Sequence, residues 1–470
     1  MISSDPGSFR DPNSRVYRSG SRVLRGMRAT PEELRALLSA SFFSDAVRAG
    51  TLVNSWLLSD EETLRTRDSI RDKGSWNAVV EHDPLPVVSY PFEWPLGMFL
   101  DAAKVELRLA RAALSDGYVT IDATPFNVQF VGTKPVHIDI GSFESYVGGN
   151  SWIAYRQFCR TFLYPILLSL YGDSSVHRQL AANSIDGIDA QKCWSRLKIR
   201  QRYNPRIGPQ VLLQAIADRR AVRSEDQLES ELSSAGMNST VIGRQMTTLA
   251  NLLDRLNPHT EKSHWNTYSE RVHYTEKHLQ DKHEFVRSIV KILRPNMVLD
   301  IGANDGSFSL TASPYASSVV SIDRDDRVVN LFYLSQRGKA SNILPLVVDI
   351  ADPSPGRGWL NRECAPFLQR INPDIVFCLA LLHHLVISSS IPIDSVVDML
   401  ASFSAEVILE VPAMSDPMVQ ILLGKKAHQS DFVERYRTDD LYRAIESRFV
   451  IRQRVEIGTR TLLHLEVCDS

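Results

Sequence analysis

The chain has 470 residues, which is longer than a single compact core usually extends, so at least two domains are expected. Hydrophobic residues make up 43% and charged residues 23%, and these values are typical of a folded globular protein instead of a disordered chain. The formal net charge of −2 provides no overall basic field that would favour nucleic acid or an anionic membrane as partner of the whole chain.

Cysteine spacing and apolar segments indicate the expected compartment. The five cysteines are scattered without CxxC spacing, which is typical of reduced thiols. The N-terminus lacks the basic and apolar regions of a signal peptide, and the longest apolar stretch, 162–170, is too short to span a bilayer. We therefore expect a cytoplasmic protein without a transmembrane segment, and peripheral membrane contact stays open.

The first predicted elements are a hairpin and a helix. Two β-prone runs within 15–25 flank Gly20, and glycine at that position favours a tight turn. Thr30 precedes Pro31 and two glutamates, which is the pattern of a helix N-cap, a first-turn proline and an acidic first turn. The chain is thus expected to begin with an α+β domain.

A spacing of acidic and amide residues follows further along the first half. Asp122 and Asn127 stand five residues apart, a short predicted hairpin comes next, and Asp139 ends it. This pattern resembles the catalytic loop and metal-binding aspartate of protein-kinase-like folds, which implies a kinase-like domain over 1–175. Thr120 stands where that family has histidine, and neither a phosphate-covering glycine loop nor a strand lysine is found. Whether these side chains bind metal or nucleotide, or only brace a loop, stays open, and no metal site is predicted.

A polar, helical pattern covers 176–258. It is interrupted at Pro205, at Gly208-Pro209 and at Gly236, and its last helix carries an apolar stripe formed by Leu249, Leu252, Leu253 and Leu256. This stretch predicts a helical lobe or connector without chemistry of its own.

The second half is organised around a glycine turn. The apolar run 297–299 reaches Asp300 and then breaks at 302–306, after which a helix can begin. Gly302 and Gly306 can adopt positive φ or let a ligand approach the backbone, and the helix start offers free N–H groups. The turn predicts a site for a nucleotide-like molecule.

Carboxylates end the first three predicted strands of this half. Asp300 ends the first strand, Asp323 ends the strand 318–323, and Asp349 follows the strand 343–348. In a β-α-β unit neighbouring strands end at the same edge, where the second acid can accept hydrogen bonds from a ribose diol. Two further strands, 374–379 and 406–412, and a terminal hairpin over 449–467 complete the pattern.

This arrangement resembles that of class I S-adenosylmethionine-dependent methyltransferases, a Rossmann-like α/β fold, over 259–470. The resemblance implies S-adenosyl-L-methionine as cofactor and implies a role for seven residues. Asp323 would bind the ribose, Asp349 the adenine amino group, and Leu379 would lie near the sulfonium. The residues expected around the amino-acid part are Asp300, Gly302, Asn304 and Gly306. A nicotinamide-binding fold is the weaker alternative, because a third glycine is missing and the terminal hairpin is a methyltransferase trait.

Two histidines follow the fourth strand. His383 or His384 could act as a general base where the methyl acceptor must lose a proton. The segment after this strand lacks a D/N-P-P-Y sequence, which disfavours DNA bases and glutamine amides as acceptors. We expect a small-molecule, lipid or carbohydrate-type acceptor and no nucleic acid; the sequence does not define the oligomeric state.

Taken together, the segments 90–94 and 122–129 and the methyltransferase-like half resemble bacterial methyltransferases related to the rhizobial host-specific nodulation protein NoeA. The resemblance implies a methyltransferase that acts in symbiotic signalling with legume hosts. The alternative is a regulatory protein whose kinase-like half binds a nucleotide or a phosphorylated ligand, with an inactive methyltransferase half.

Overall fold

The structure is a computed structural model that describes residues 2–70, 76–148, 151–221, 238–258, 275–425 and 436–468. The chain forms two compact units. Unit 1 comprises Met1–His259 together with Pro355–Ala365, and unit 2 comprises Thr260–Ser354 together with Pro366–Ser470. No helix in the described ranges combines the length and the apolarity needed to cross a membrane.

Unit 1 begins with an antiparallel sheet of five strands in the order β1-β2-β3-β5-β4. The predicted hairpin at Gly20 is formed by β2 and β3, which pair from Ser19↔Arg22 to Ser14↔Met27. Two smaller pairs, β6 with β9 and β7 with β8, lie further along the chain. The strands of unit 1 are β1 Ser3–Ser4, β2 Ser14–Ser19, β3 Arg22–Met27, β4 Ser55–Leu57, β5 Ala78–His82, β6 Tyr118–Thr120, β7 Val128–Val131, β8 Lys134–His137 and β9 Phe143–Ser145.

Helix Leu96–Ser115 is largely buried and packs against helices Ser41–Arg48, Tyr164–Tyr171 and Ser239–Arg255. The helix predicted after Thr30 spans Pro31–Ser39, and Thr30 and Glu33 form a capping box that satisfies two of its first N–H groups. The remaining helices are Ser41–Arg48, Asp60–Ser69, Tyr155–Phe158, Tyr164–Tyr171, Val176–Asn183, Ala190–Arg196, Ile199–Arg202, Gly208–Ala221 and Ser239–Arg255.

The structure divides the first half differently from the predicted boundaries at 175 and 258. The helices expected to form a separate connector belong to the same unit as the sheet. Helix Ser239–Arg255 packs on helix Leu96–Ser115 and buries its leucine stripe, and Lys104 Nζ lies 3.3 Å from Asp254 Oδ1. This stripe therefore contributes to the core of unit 1.

Residues 355–365, predicted as part of the methyltransferase-like domain, also belong to unit 1. Glu363 accepts a hydrogen bond from Arg10 Nη2 at 2.6 Å, and the Ala365 N–H donates to the Tyr90 hydroxyl at 3.0 Å. The Arg357 guanidinium lies 5.1 Å from the centroid of the Phe92 ring. These contacts account for the assignment of this short segment to unit 1.

Unit 2 contains a sheet of seven strands in the order β12-β11-β10-β13-β14-β16-β15. The five strands from β12 to β14 are parallel, whereas β16 pairs antiparallel with both β14 and β15. The strands are β10 Met297–Ile301, β11 Ser318–Asp323, β12 Ile343–Val347, β13 Ile375–Cys378, β14 Glu406–Pro412, β15 Phe449–Ile457 and β16 Arg460–Val467. The predicted Rossmann-like α/β arrangement, with a terminal hairpin, is present in unit 2.

Helices cover the sheet of unit 2, and the core includes Val286, Val290, Val298, Val319 and Phe377. Helix Glu276–Leu293 begins after the N-cap Thr275 and packs its apolar stripe on the sheet. The other helices are Ser307–Ala312, Asp326–Gln336, Phe367–Arg370, Ile393–Ala401, Pro417–Lys425 and Thr438–Glu446.

Candidate functional site

The glycine turn follows β10 and has a left-handed backbone at three positions. Gly302, Asn304 and Gly306 have φ values of 71°, 50° and 75°. Asparagine tolerates this region better than most residues with a side chain, so the turn forms although its middle position is not glycine. The N–H groups of Gly302 and Ala303 both donate to the Ile322 carbonyl, at 2.8 and 2.9 Å, and hold the turn against β11.

The strand register places predicted cofactor residues side by side. Ile301 pairs with Ile322 on one side and with Cys378 on the other. The next residues, Gly302, Asp323 and Leu379, therefore lie in one row at the carboxyl edge of the sheet. β10 and β13 are neighbours in the sheet, and the order in which the strands follow one another along the chain reverses between them. In open α/β sheets, ligands usually bind at the carboxyl ends of the strands at such a point.

Asp323 has a carboxylate that is fixed by backbone donors and still able to accept further hydrogen bonds. Its Oδ2 accepts from the Asn304 N–H at 3.0 Å, and its Oδ1 accepts from the Asp325 N–H at 2.9 Å. A carboxylate has about four acceptor positions, so one on each oxygen is left for a ligand such as a diol. Burial raises the pKa of Asp323, and the two backbone hydrogen bonds oppose this effect.

Asp300 lies deeper than Asp323 and is only 2% exposed. Its Oδ2 accepts from the Ser309 hydroxyl at 2.6 Å, and Ser309 also bonds with the Ser321 hydroxyl at 2.6 Å. Burial raises the pKa of Asp300 to about 7, with a further increase from the nearby charge of Asp323. The pKa of Asp300 is therefore close to neutral pH, and its hydrogen bond with Ser309 links β10 to the helix that follows the turn.

Asp349 lies just past β12 at the same edge of the sheet. Asp323 pairs with Val347, so Asp349 is two residues beyond the row that contains Asp323. Its Oδ1 accepts from the Ala351 N–H at 2.9 Å, which folds the chain into a tight turn. Asp300 within β10, Asp323 at the end of β11 and Asp349 after β12 thus lie toward the same edge of the sheet, with Asp349 farthest along the chain direction of the strands.

The segment after β13 carries the two histidines and a strained residue. Ala380 has φ of 52°, and its N–H donates to Glu410 Oε2 at 3.0 Å. A residue with a side chain in this region stores strain, which is frequent at functional sites. Leu381 lies over the turn, because a Cβ built on Gly302 would be 3.3 Å from Leu381 Cδ1.

His383 and His384 have ring centroids 4.3 Å apart and different surroundings. Burial lowers the pKa of His383 to about 3, and His384 and Arg460 add to this decrease. Its Nδ1 has no hydrogen-bond partner within the described residues. Burial also lowers the pKa of the partly exposed His384, with contributions from Arg324 and Arg460. Both rings are therefore neutral at pH 7.

A buried network of charges supports this segment, and the sequence patterns did not predict it. Glu410 is fully buried and contacts Lys282 Nζ at 2.5 Å and Arg460 Nη1 at 2.9 Å. Arg460 Nε also donates to Asp416 Oδ2 at 2.8 Å. The position of Glu410 inside the apolar strand β14 indicates a buried charge that needs a partner. Its partners Lys282 and Arg460 could not be predicted, because they are 128 and 50 residues away in sequence.

In unit 1, Asp122 and Asn127 brace the loop between β6 and β7. Asn127 Nδ2 donates to Asp122 Oδ2 at 3.1 Å, and Gln157 donates to the other carboxylate oxygen of Asp122. Burial raises the pKa of Asp122, and the two side-chain hydrogen bonds oppose this effect.

Asp139 follows β8 and pairs with the guanidinium of Arg25 from β3. Its Oδ1 also accepts from the Gly141 N–H at 3.1 Å. Burial alone would raise the pKa of Asp139, but the charges of Arg25 and His137 lower it below its ordinary value. Among the described residues, no group of three or more His, Cys, Asp or Glu side chains is placed to hold a metal ion.

Comparison with known proteins gives one relative that extends over almost the whole chain. The nodulation protein NoeA of Rhizobium meliloti (strain 1021) is 28% identical over 465 residues, which cover 98% of this chain and 95% of NoeA. No family model matches the chain.

Solved structures of methyltransferases match a smaller share. The N-methyltransferase NodS of Bradyrhizobium japonicum WM9 in complex with S-adenosyl-L-homocysteine is 11% identical, with a TM-score of 0.30 over 41% of this chain and 88% of NodS. The magnesium protoporphyrin IX methyltransferase ChlM of Synechocystis PCC 6803 with bound S-adenosyl-L-homocysteine is 17% identical, with a TM-score of 0.29 over 44% of this chain and 90% of ChlM.

The strand order of unit 2, its terminal antiparallel hairpin and the turn at Gly302 form the arrangement of class I methyltransferases. The predicted relation to NoeA is confirmed by the nearly full-length similarity. The chain is thus similar to NoeA over nearly its full length, and its unit 2 has the strand order of a Rossmann-like α/β fold that ends in an antiparallel hairpin.

Proposed function

We propose that this protein transfers the methyl group of S-adenosylmethionine to a small-molecule, lipid or carbohydrate-type acceptor. The observation that supports it best is the row formed by Gly302, Asp323 and Leu379 at the position where the order of the parallel strands reverses. A left-handed turn and a carboxylate with spare acceptor positions meet there, which suits an adenosyl ligand.

Each predicted cofactor residue has a proposed role that is compatible with its position. Asp323 binds the two ribose hydroxyls through the acceptor positions that its backbone donors leave, and Asp349 binds the adenine amino group farther along the edge. Asp300 and the residues of the turn, Gly302, Asn304 and Gly306, surround the amino-acid part. Leu379 is 6% exposed and supplies an apolar surface near the sulfonium.

When bound, the sulfonium supplies an electrophilic methyl group, so the protein has mainly to align the acceptor with it in a dry site. If the acceptor is an oxygen or nitrogen that must lose a proton, a neutral imidazole can take it. We propose His384 for this step, because it is neutral and partly exposed. His383 is more deeply buried and is proposed to bind the acceptor or to orient His384.

We further propose a cytoplasmic role in host-specific nodulation, supported by the similarity to NoeA over nearly the full chain. The acceptor is proposed not to be a nucleic acid, because the segment after β13, Leu379-Ala-Leu-Leu-His-His384, lacks a D/N-P-P-Y sequence.

A regulatory protein that binds a nucleotide through unit 1 is the less supported function. Magnesium nucleotides need free carboxylates, whereas Asp139 is paired with Arg25 and Asp122 accepts from Asn127 and Gln157.

Incubation of the purified protein with methyl-labelled S-adenosylmethionine and a cell extract tests the proposal. Mass spectrometry should reveal a compound in the small-molecule, lipid or glycan fraction that has gained the labelled methyl group in place of one hydrogen, an increase of about 15 Da for a 13C-labelled methyl group. Asp323→Asn should reduce the amount of this compound, because it weakens cofactor binding. Label found only in nucleic acid, or in no fraction although the cofactor is bound, would contradict the proposed function.

A further inference from the structure

A strongly basic segment of unit 1 plays no part in the proposed methyl transfer. Residues 190–216 contain six lysine and arginine side chains and no aspartate or glutamate, whereas the whole chain has a net charge of −2. The same segment exposes five large apolar side chains: Ile199, Tyr203, Leu212, Leu213 and Ile216. Dense positive charge next to exposed aliphatic side chains is unusual on a surface that faces only water.

The helices of this segment pack into one small group. Helix Ala190–Arg196 contacts helix Gly208–Ala221, and the short helix Ile199–Arg202 connects them. The Gly208 N–H donates to the Asn204 carbonyl at 2.9 Å. A Cβ on Gly208 would lie 2.1 Å from the Arg202 carbonyl oxygen, so only glycine permits this close approach.

Helical spacing separates the buried and exposed apolar residues. Val211 and Ala215 are buried, whereas Leu212 and Ile216, also four residues apart, share an exposed face. Ile199 and Tyr203 show the same spacing and are 71% and 82% exposed, and Leu213 is 67% exposed. The segment thus buries one set of apolar side chains and exposes a second set, within 199–203 and on helix Gly208–Ala221, that the described residues leave open to solvent.

The cations of the segment are mostly available to a partner. Two of them are exceptions. Lys192 Nζ lies 3.0 Å from Asp189 Oδ2, and Arg202 Nε donates to the Leu197 carbonyl at 2.9 Å while its guanidinium lies 5.8 Å from the centroid of the Trp194 ring. Lys198, Arg200 and Arg206 are exposed, and no carboxylate in the described part of the chain pairs with them. We define the basic apolar surface as Ile199, Tyr203, Leu212, Leu213 and Ile216 with the exposed cations Arg196, Lys198, Arg200 and Arg206.

We propose that the basic apolar surface docks on an anionic phospholipid membrane. Aliphatic side chains can enter the boundary between headgroups and acyl chains while lysine and arginine contact the anionic headgroups. Single-stranded nucleic acid would use aromatic platforms for stacking, but four of the five exposed apolar side chains are aliphatic and Trp194 is covered by Arg202. The proposal does not depend on methyl transfer.

Flotation of the full-length protein with lipid vesicles tests this docking. The protein should float with vesicles that contain phosphatidylglycerol at least tenfold more than with pure phosphatidylcholine vesicles, and added salt should reduce the bound fraction. Ile199→Ser with Leu213→Ser should reduce binding at least tenfold, and so should Lys198→Glu with Arg200→Glu. All four positions are exposed, so the thermal melting curves should match that of the wild type.

The matched control is Lys291→Glu with Ile292→Ser, an exposed cation beside an isoleucine that is 78% exposed on helix Glu276–Leu293 of unit 2. This variant should float like the wild type. The proposal is overturned if anionic vesicles do not float the wild type, or if the control loses binding as much as the surface variants. It is also overturned if the surface variants lose only RNA or DNA binding, or only self-association in sedimentation, and float normally.

Discussion

The protonation of Asp300 should affect the stability of the folded chain up to neutral pH. Its folded pKa is about 7, above the ordinary value of about 3.9, so the folded chain holds this proton more tightly than the unfolded chain. The free energy of unfolding should therefore fall as pH rises from about 4 to about 7. Asp300→Asn should remove this contribution, so its melting temperature relative to that of the wild type should rise from about pH 4 to about pH 7 and stay constant above that.

Asp374 provides the control for this comparison, because it is an exposed aspartate whose Oδ2 accepts from the Met297 N–H at 2.9 Å at the opposite end of the sheet. Asp374→Asn makes the same chemical change at an exposed position and is the reference against which the melting curves of Asp300→Asn are compared. Scanning calorimetry gives the melting temperature of each protein as a function of pH. Parallel curves for wild type and Asp300→Asn would contradict the raised pKa of Asp300 in the folded chain.

Single residues differ in how far the sequence predicts their conformation. Gly302, Asn304 and Gly306 were predicted to form a turn because glycine and asparagine tolerate positive φ, and all three adopt it. Ala380 also has positive φ, but alanine carries no such preference. Its conformation coincides with a hydrogen bond to Glu410, a contact between distant parts of the chain that local sequence cannot reveal.

At the scale of elements, the start of helix Ser307–Ala312 depends on glycine at Gly306. Its φ is 75°, and a Cβ there would lie 2.0 Å from Phe332 Cζ. Gly306→Ala should lower the free energy of unfolding by about 2–5 kcal/mol, because it adds overpacking to backbone strain. Gly338 has φ of 76° but nothing within 4 Å of a built Cβ, so Gly338→Ala should lower it by only about 1 kcal/mol. Equal losses in urea denaturation would contradict the close packing on Phe332.

The contacts of Glu410 join β14 to β16, to helix Glu276–Leu293 and to the segment after β13. Glu410→Gln leaves buried positive charge uncompensated and should lower the free energy of unfolding by about 3–5 kcal/mol. Glu406, on the same strand, is partly exposed and pairs with His464, so Glu406→Gln should cost at most about 1 kcal/mol. Chemical denaturation of both variants measures the difference, and a loss no greater than that of Glu406→Gln would show that the network contributes little.

The strands of unit 2 were predicted to within about two residues because each is a short apolar run with a clear end. Ser318–Asp323 and Glu406–Pro412 match the predicted bounds, and Met297–Ile301 extends two residues beyond the predicted run. The ion pairs across elements were not predicted, because charge partners so distant in sequence leave no local pattern.

At the scale of the whole molecule, the division into units differed most from prediction. Helical periodicity predicts that 176–258 is helical but not on which core its helices pack, and they belong to unit 1. Residues 355–365 also belong to unit 1, although they lie in sequence between strands of unit 2. This segment contacts Arg10 and Tyr90, which are 353 and 275 residues away from their partners in sequence, so no local pattern predicts the contacts. A kinase-like character of unit 1 stays a prediction.

Calorimetric titration of the full-length protein with S-adenosylmethionine tests the central claim most directly. Wild type should bind, and Asp323→Asn should weaken binding by about 10- to 100-fold, since a hydrogen bond to a charged group contributes about 1.5–3 kcal/mol. Asp374→Asn makes the same chemical change at the other end of the sheet and should bind like wild type. No binding by wild type, or equal affinity of wild type and Asp323→Asn, would contradict the account.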